Sequence, residues 1–213
     1  MTMFSSSLTD TIRLTRRGLV LAAVALALSP AAALAQAARD PSAEQFVQAA
    51  AQKVLAILNE PATAQRSRTF DQAVEELVAM PKISNFVLGK YGRTITPAQR
   101  ARFDVAFRRY AEGVYEKRLG EYRHAALKVV GSQVRKPGDV IVRTQLSGGP
   151  PGDPLIASWR VTQDGGAWKI IDLEFKGVWL AITQQQDFVS TVDNAGGDVG
   201  VLIGQLERDA SHG

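Results

Sequence analysis

The period of the apolar residues changes along this chain, and that change restricts the fold more than any other feature. From about residue 42 to residue 122 large apolar side chains recur every three or four positions, the spacing of a helix face. From about 126 to 175 they alternate with polar ones, the spacing of a strand, and helical spacing returns after 179. Helices first, strands next and helices last predict an α+β domain, with the helices gathered against an antiparallel sheet rather than interleaved with parallel strands.

The individual elements follow from local signals. Ser42 can cap a helix over 42–59, where Phe46, Val47, Ala50, Val54, Ile57 and Leu58 share a face and Asn59-Glu60-Pro61 ends the run. A second helix is expected over 69–80 and a short helical piece over 83–88. Thr96-Pro97, a hydroxyl cap followed by proline at the first helical position, opens the longest helix, which runs to about Tyr122. Four strands are expected over 127–134, 140–146, 155–163 and 167–175. Lys136-Pro137-Gly138-Asp139 and Asp164-Gly165-Gly166 are turns short enough for hairpins, whereas 148–154 makes a longer loop. Residues 179–192 and 198–206 read as closing helices, separated by Asn194-Ala195-Gly196-Gly197.

Little in this sequence equips it for catalysis. There is no cysteine, so disulfides, thiolate metal sites and cysteine nucleophiles are excluded, and His124 and His212 cannot build a histidine triad or a multi-histidine metal site. No phosphate-binding glycine loop, zinc-binding helix motif or calcium-loop spacing is present, so no cofactor or metal is called for. Asp172 and Glu174 lie two apart on the same face of the last strand, where such a pair faces water or accepts backbone hydrogen bonds at the sheet edge. A general base at Asp172 inside an apolar cavity is the enzymatic alternative, and it requires a raised carboxylate pKa. The arginines around the long helix, such as Arg108 beside Glu112, read as a solvated face with helical ion pairs.

The amino end has the layout of an export signal. Arg13, Arg16 and Arg17 precede an apolar run of about ten residues, half of what a membrane span needs, and Ala33-Leu34-Ala35 offers a small-residue cleavage site. Both the general secretory route and the twin-arginine route fit Arg16-Arg17. Cleavage after Ala35 leaves 36–213 as one domain, with 22 basic against 20 acidic residues, too balanced for a nucleic-acid binder. No cysteine follows the cleavage site to carry a lipid anchor, so the mature chain is expected free in the periplasm.

Several segments together resemble a known family. Leu88-Gly89-Lys90-Tyr91, Thr96-Pro97-Ala98-Gln99-Arg100 with Phe103 and Phe107, Ser158-Trp159-Arg160, Trp168-Lys169-Ile170-Ile171-Asp172, Gly177-Val178, Gln184-Gln185-Gln186-Asp187-Phe188 and Asn194-Ala195-Gly196-Gly197 occur in the order and spacing of the MlaC/toluene-tolerance family of periplasmic phospholipid shuttles. The resemblance spans about residues 43–206. It implies N-terminal helices and a long central helix on a curved antiparallel sheet of four or slightly more strands, enclosing a cone-shaped, NTF2-like cavity. It also implies a carrier, not an enzyme, that holds a phospholipid by its acyl chains. Its expected partners are an inner-membrane ABC transporter with an MCE-domain subunit and an outer-membrane lipoprotein–porin complex, a system tied to outer-membrane lipid asymmetry.

Two acyl chains of roughly 15 carbons need on the order of 20 kcal/mol of shielding from water, which only a deep apolar cavity supplies. The expected lipid-binding residues are Phe86, Tyr91, Phe103, Phe107, Tyr110, Val114, Trp159, Val178, Trp179 and Ile182. Lys82-Ile83-Ser84-Asn85 stands where members often carry an aromatic–acid pair, and Trp179 where a small residue is common. A bulky indole there narrows the cavity or suits another lipid. Some relatives are associated with hopanoids, so phospholipid and polycyclic lipid both stay open.

Overall fold

In the computed structural model, residues 38–148 and 155–210 are described. The candidate signal at 1–35 and the loop expected at 148–154, apart from Gly148, lie outside them. Six α-helices and five strands follow one another as α1 (Pro41–Asn59), α2 (Ala64–Leu77), α3 (Met80–Val87), a 3-10 turn (Gly89–Arg93), α4 (Pro97–Gly120), β1 (Ala126–Lys136), β2 (Asp139–Ser147), β3 (Leu155–Asp164), β4 (Ala167–Phe175), β5 (Val178–Trp179), α5 (Leu180–Asn194) and α6 (Val199–Asp209). The α+β order predicted by the change of period is the order found.

Caps set the helix starts. Asp40, not Ser42, caps α1, its carboxylate accepting from the backbone N–H groups of Ser42 and Ala43. Thr63 caps α2 five residues earlier than expected, because the polar first turn Gln65-Arg66-Ser67-Arg68 carries no apolar signal to read. At α4, Thr96 and Gln99 satisfy each other's backbone N–H groups in a capping box ahead of a 24-residue helix.

The sheet is a meander in the order β1-β2-β3-β4-β5, every neighbour antiparallel. Its hairpins are tight. Pro137-Gly138 joins β1 to β2 with Gly138 at φ 72°, where proline and glycine suit the two central positions of a type II turn. Gly165-Gly166 joins β3 to β4 with both residues at positive φ, and Lys176-Gly177 does the same between β4 and β5. Lys176 is the one non-glycine residue at positive φ among the described residues. The fifth strand makes the sheet slightly larger than the four runs that alternation marks, and with two residues it shows no alternation of its own.

The apolar side chains form three clusters, not one. The largest lies among the helices and includes Phe70, Phe103, Leu202 and Ile203; a second joins Ala43 and Val47 of α1 to Val140, Val142 and Val161; a third gathers Tyr122, Leu146 and Ala157. The helical layer and the sheet therefore meet fully along α1 and at Tyr122, and less completely between.

Candidate functional site

The space between helices and sheet is an open apolar cavity with about 100 Å³ accessible to water. From the helical side α2 contributes Phe70, Val74 and Leu77, and α4 contributes Phe107, Ala111, Tyr115 and Leu119, one row at i, i+4 spacing. Trp159 of β3 and Ile170 and Leu173 of β4 face them from the sheet. A β-bulge helps to shape this wall. Arg160 pairs with Asp172 and Val161 with Ile170, which leaves Ile171 as an extra residue on β4, and Ile171 also reaches the cavity.

Polar groups in the wall are already engaged. The Trp159 indole N–H donates to Thr144 Oγ1 at 2.9 Å, so the ring presents its apolar body to the cavity. Asp172, only 8 % exposed, does not face water: its Oδ1 accepts from the backbone N–H of Leu173 at 2.8 Å and of Ala181 at 2.9 Å. It thereby holds the first turn of α5 against β4. Burial raises its pKa, opposed by those two backbone N–H groups and by Arg160. Tyr115 is pushed up to about 12, first by burial and then by the charge of Asp172, with Arg118 opposing. Among the described lining residues, Asp172 and Tyr115 are the titratable ones.

Of the expected lipid-binding residues, Phe107 and Trp159 line this cavity. Phe103, Tyr110 and Val114 are not in its lining. The Phe188 ring meets Phe103 and Phe107 edge-on at 6.1 and 5.9 Å and lies 6.3 Å from Tyr110, so Phe103 is fully buried core. The cavity runs along the adjoining row instead. Phe86, Val178 and Ile182 are 43 to 46 % exposed and stand outside the lining. Trp179 is the half-buried N-cap residue of α5, and the Tyr91 hydroxyl donates to Asp193, tying the 3-10 turn to α5.

The residues that sequence reasoning left out are mainly small or shared with the core. Ala111 and Ala181 gave no signal, because a small residue leaves room without marking a pattern. Phe70, Val74 and Leu77 recur at helical spacing in α2, but wall and core look identical in sequence. Arg108 pairs with Glu75 of α2 at 3.6 Å, not with Glu112 as the helical spacing suggested.

The sequence profile of the MlaC protein family matches residues 48–208, from within α1 to the last turn of α6, and so includes nearly every wall of this cavity. The chain belongs to the MlaC family. The MlaC fold is also met in a solved structure, that of a phospholipid-binding protein from Ralstonia solanacearum in complex with a phospholipid. It is 23 % identical, with a TM-score of 0.70 over 80 % of this chain and 97 % of that one. The MlaC match thus agrees with the α+β architecture.

Proposed function

We propose that this MlaC-family protein binds a phospholipid by its acyl chains in the cavity between α2, α4 and the sheet, and carries it through the periplasm. The observation that carries this reading is the cavity itself: open, walled by aromatic and aliphatic side chains, and placed between two layers that a protein without a ligand would pack together. The phospholipid in the Ralstonia solanacearum protein of the same fold supports the choice of cargo. Residues 1–35 act as the export leader, and the mature domain exchanges lipid with an inner-membrane MCE-domain ABC transporter and an outer-membrane lipoprotein–porin complex. Among the described residues no helix is long and apolar enough to cross a membrane, in keeping with a carrier that leaves both.

The raised pKa of Asp172 favours one competing reading, a base in a small enzyme. Its use as the clamp on α5, and a wall whose other titratable group is Tyr115, weigh against it.

Native mass spectrometry of the protein purified from its membrane-bearing source tests the carrier reading. A co-purifying lipid of phospholipid mass is expected, and Ala111→Trp, which fills the cavity from α4, is expected to lose it while keeping a cooperative melt. A hopanoid mass would redirect the cargo. Purified protein that never holds lipid, across several preparations, would sink the proposal.

A further inference from the structure

Ion pairs and hydrogen bonds fix how α2 and α4 face each other. Arg108 of α4 reaches Glu75 of α2 at 3.6 Å, and farther along α4 Glu116 Oε1 accepts from Ser67 Oγ at 3.2 Å and from Arg66 Nη2 at 2.9 Å. The helices are therefore antiparallel, and each turn forward along α4 meets one turn back along α2. That register sets Glu112, midway between Arg108 and Glu116, opposite Asp71, midway between Glu75 and Ser67. The outer rungs join a guanidinium or a hydroxyl to a carboxylate, whereas the middle rung faces one carboxyl group with another. Both are partly buried, and among the described residues no cation forms an ion pair with either.

This rung borders the cavity from both helices. Phe70 and Val74, one position before Asp71 and three after it, line the cavity, and so do Ala111 and Tyr115, one position before Glu112 and three after it. The separation of α2 and α4 at the rung is thus the separation of two cavity walls. The other charges around it are Arg66 and Glu75 from α2 and Arg108, Arg109 and Glu116 from α4, while Lys53 of α1 is taken up by Glu76. Two ionised carboxylates partly out of water repel each other, and a proton on one of them removes the repulsion. Burial first, and neighbouring carboxylates next, raise the pKa of both groups, that of Glu112 to about 7.

Resting on the carrier reading, we propose that the Asp71–Glu112 rung is a proton-dependent latch on the cavity: with one proton it keeps α2 and α4 together around the acyl chains, and when that proton passes to solvent the two like charges part the helices and speed lipid release. The grip is firm below neutral pH and relaxes above it.

The test loads wild-type protein, Glu112→Gln and Asp71→Asn with nitrobenzoxadiazole-labelled phosphatidylethanolamine and mixes each with excess dioleoylphosphatidylcholine vesicles at about pH 6 and about pH 8. Wild type is expected to release lipid about fivefold faster at the higher pH, the scale of one screened charge interaction. Each variant, with at most one charge left on the rung, is expected to release at the slow rate at both. Spin labels on Gln72→Cys and Lys117→Cys, exposed positions of α2 and α4 in a chain with no native cysteine, read the helix separation without lipid. That distance is expected to lengthen by about 1–2 Å at the higher pH, and to stay fixed when Glu112→Gln is added. A wild-type release rate or helix separation that does not respond to pH would overturn the latch, as would an equal response in Glu112→Gln. Protein that takes up no lipid refutes the carrier reading, and the proposal with it, whereas failure of the latch alone leaves loading intact.

Discussion

Glu112 of α4 is half-buried facing α2, where the carboxylates of Asp71 and Glu75 also act on it. Burial first, and those two charges next, push its pKa from the ordinary 4.5 up to about 7, against the pull of Arg108 and Arg109. The folded chain therefore holds a proton there that the unfolded chain has lost between these two values. This group's contribution is most favourable below about pH 4.5, falls as pH rises through the window and is constant above about 7. Glu112→Gln removes the unfavourable charge. After allowance for solvent screening it should stabilise the protein by about 1 kcal/mol at pH 8 and by almost nothing at pH 4.5. Paired urea melts at the two pH values measure this, and an equal gain at both would show that ionisation is not the cause.

At the scale of elements, α5 closes one side of the cavity through two side chains. One carboxylate anchors its start and one ring, Phe188, closes its middle onto α4. Asp172→Ala leaves the N–H groups of Ala181 and Leu173 without their acceptor, at a cost of about 1–3 kcal/mol. Asp172→Asn keeps an acceptor oxygen and should cost less than about 1 kcal/mol, because it also relieves a buried charge. Chemical denaturation of the pair checks this, and equal losses would refute the capping role. Sequence spacing was enough to read the helices, the four long strands and the glycine turns, since each is a local signal. It could not choose between the row of Phe103, Phe107, Tyr110 and Val114 and the row of Phe107, Ala111, Tyr115 and Leu119. The row that is closed off meets Phe188, a ring 78 to 85 positions away from Tyr110, Phe107 and Phe103, and the cavity wall opposite is shaped by the bulge at Ile171, neither of which leaves a trace in the spacing of α4.

For the whole molecule, the buried apolar side chains separate into three clusters linked through half-buried residues such as Phe46 and Ile170, so packing between the main helical cluster and the sheet is interrupted by the cavity. There is no cysteine to bridge the layers. A ligand that fills the intervening space then adds its binding energy to the stability of the fold. At a free concentration a thousandfold above its dissociation constant that linkage is worth about 4 kcal/mol. For a domain of this size it corresponds to a rise in Tm of roughly 10 °C. Differential scanning calorimetry of lipid-loaded and delipidated protein measures the difference, and coincident transitions would mean that cargo and fold are energetically independent.

The same cavity has a mechanical consequence. Hydrostatic pressure favours whichever state occupies less volume, and unfolding an empty carrier eliminates the void between α4 and the sheet. On the carrier reading, the lipid-free form is therefore the one that pressure unfolds more readily, and acyl chains filling that volume would remove the difference.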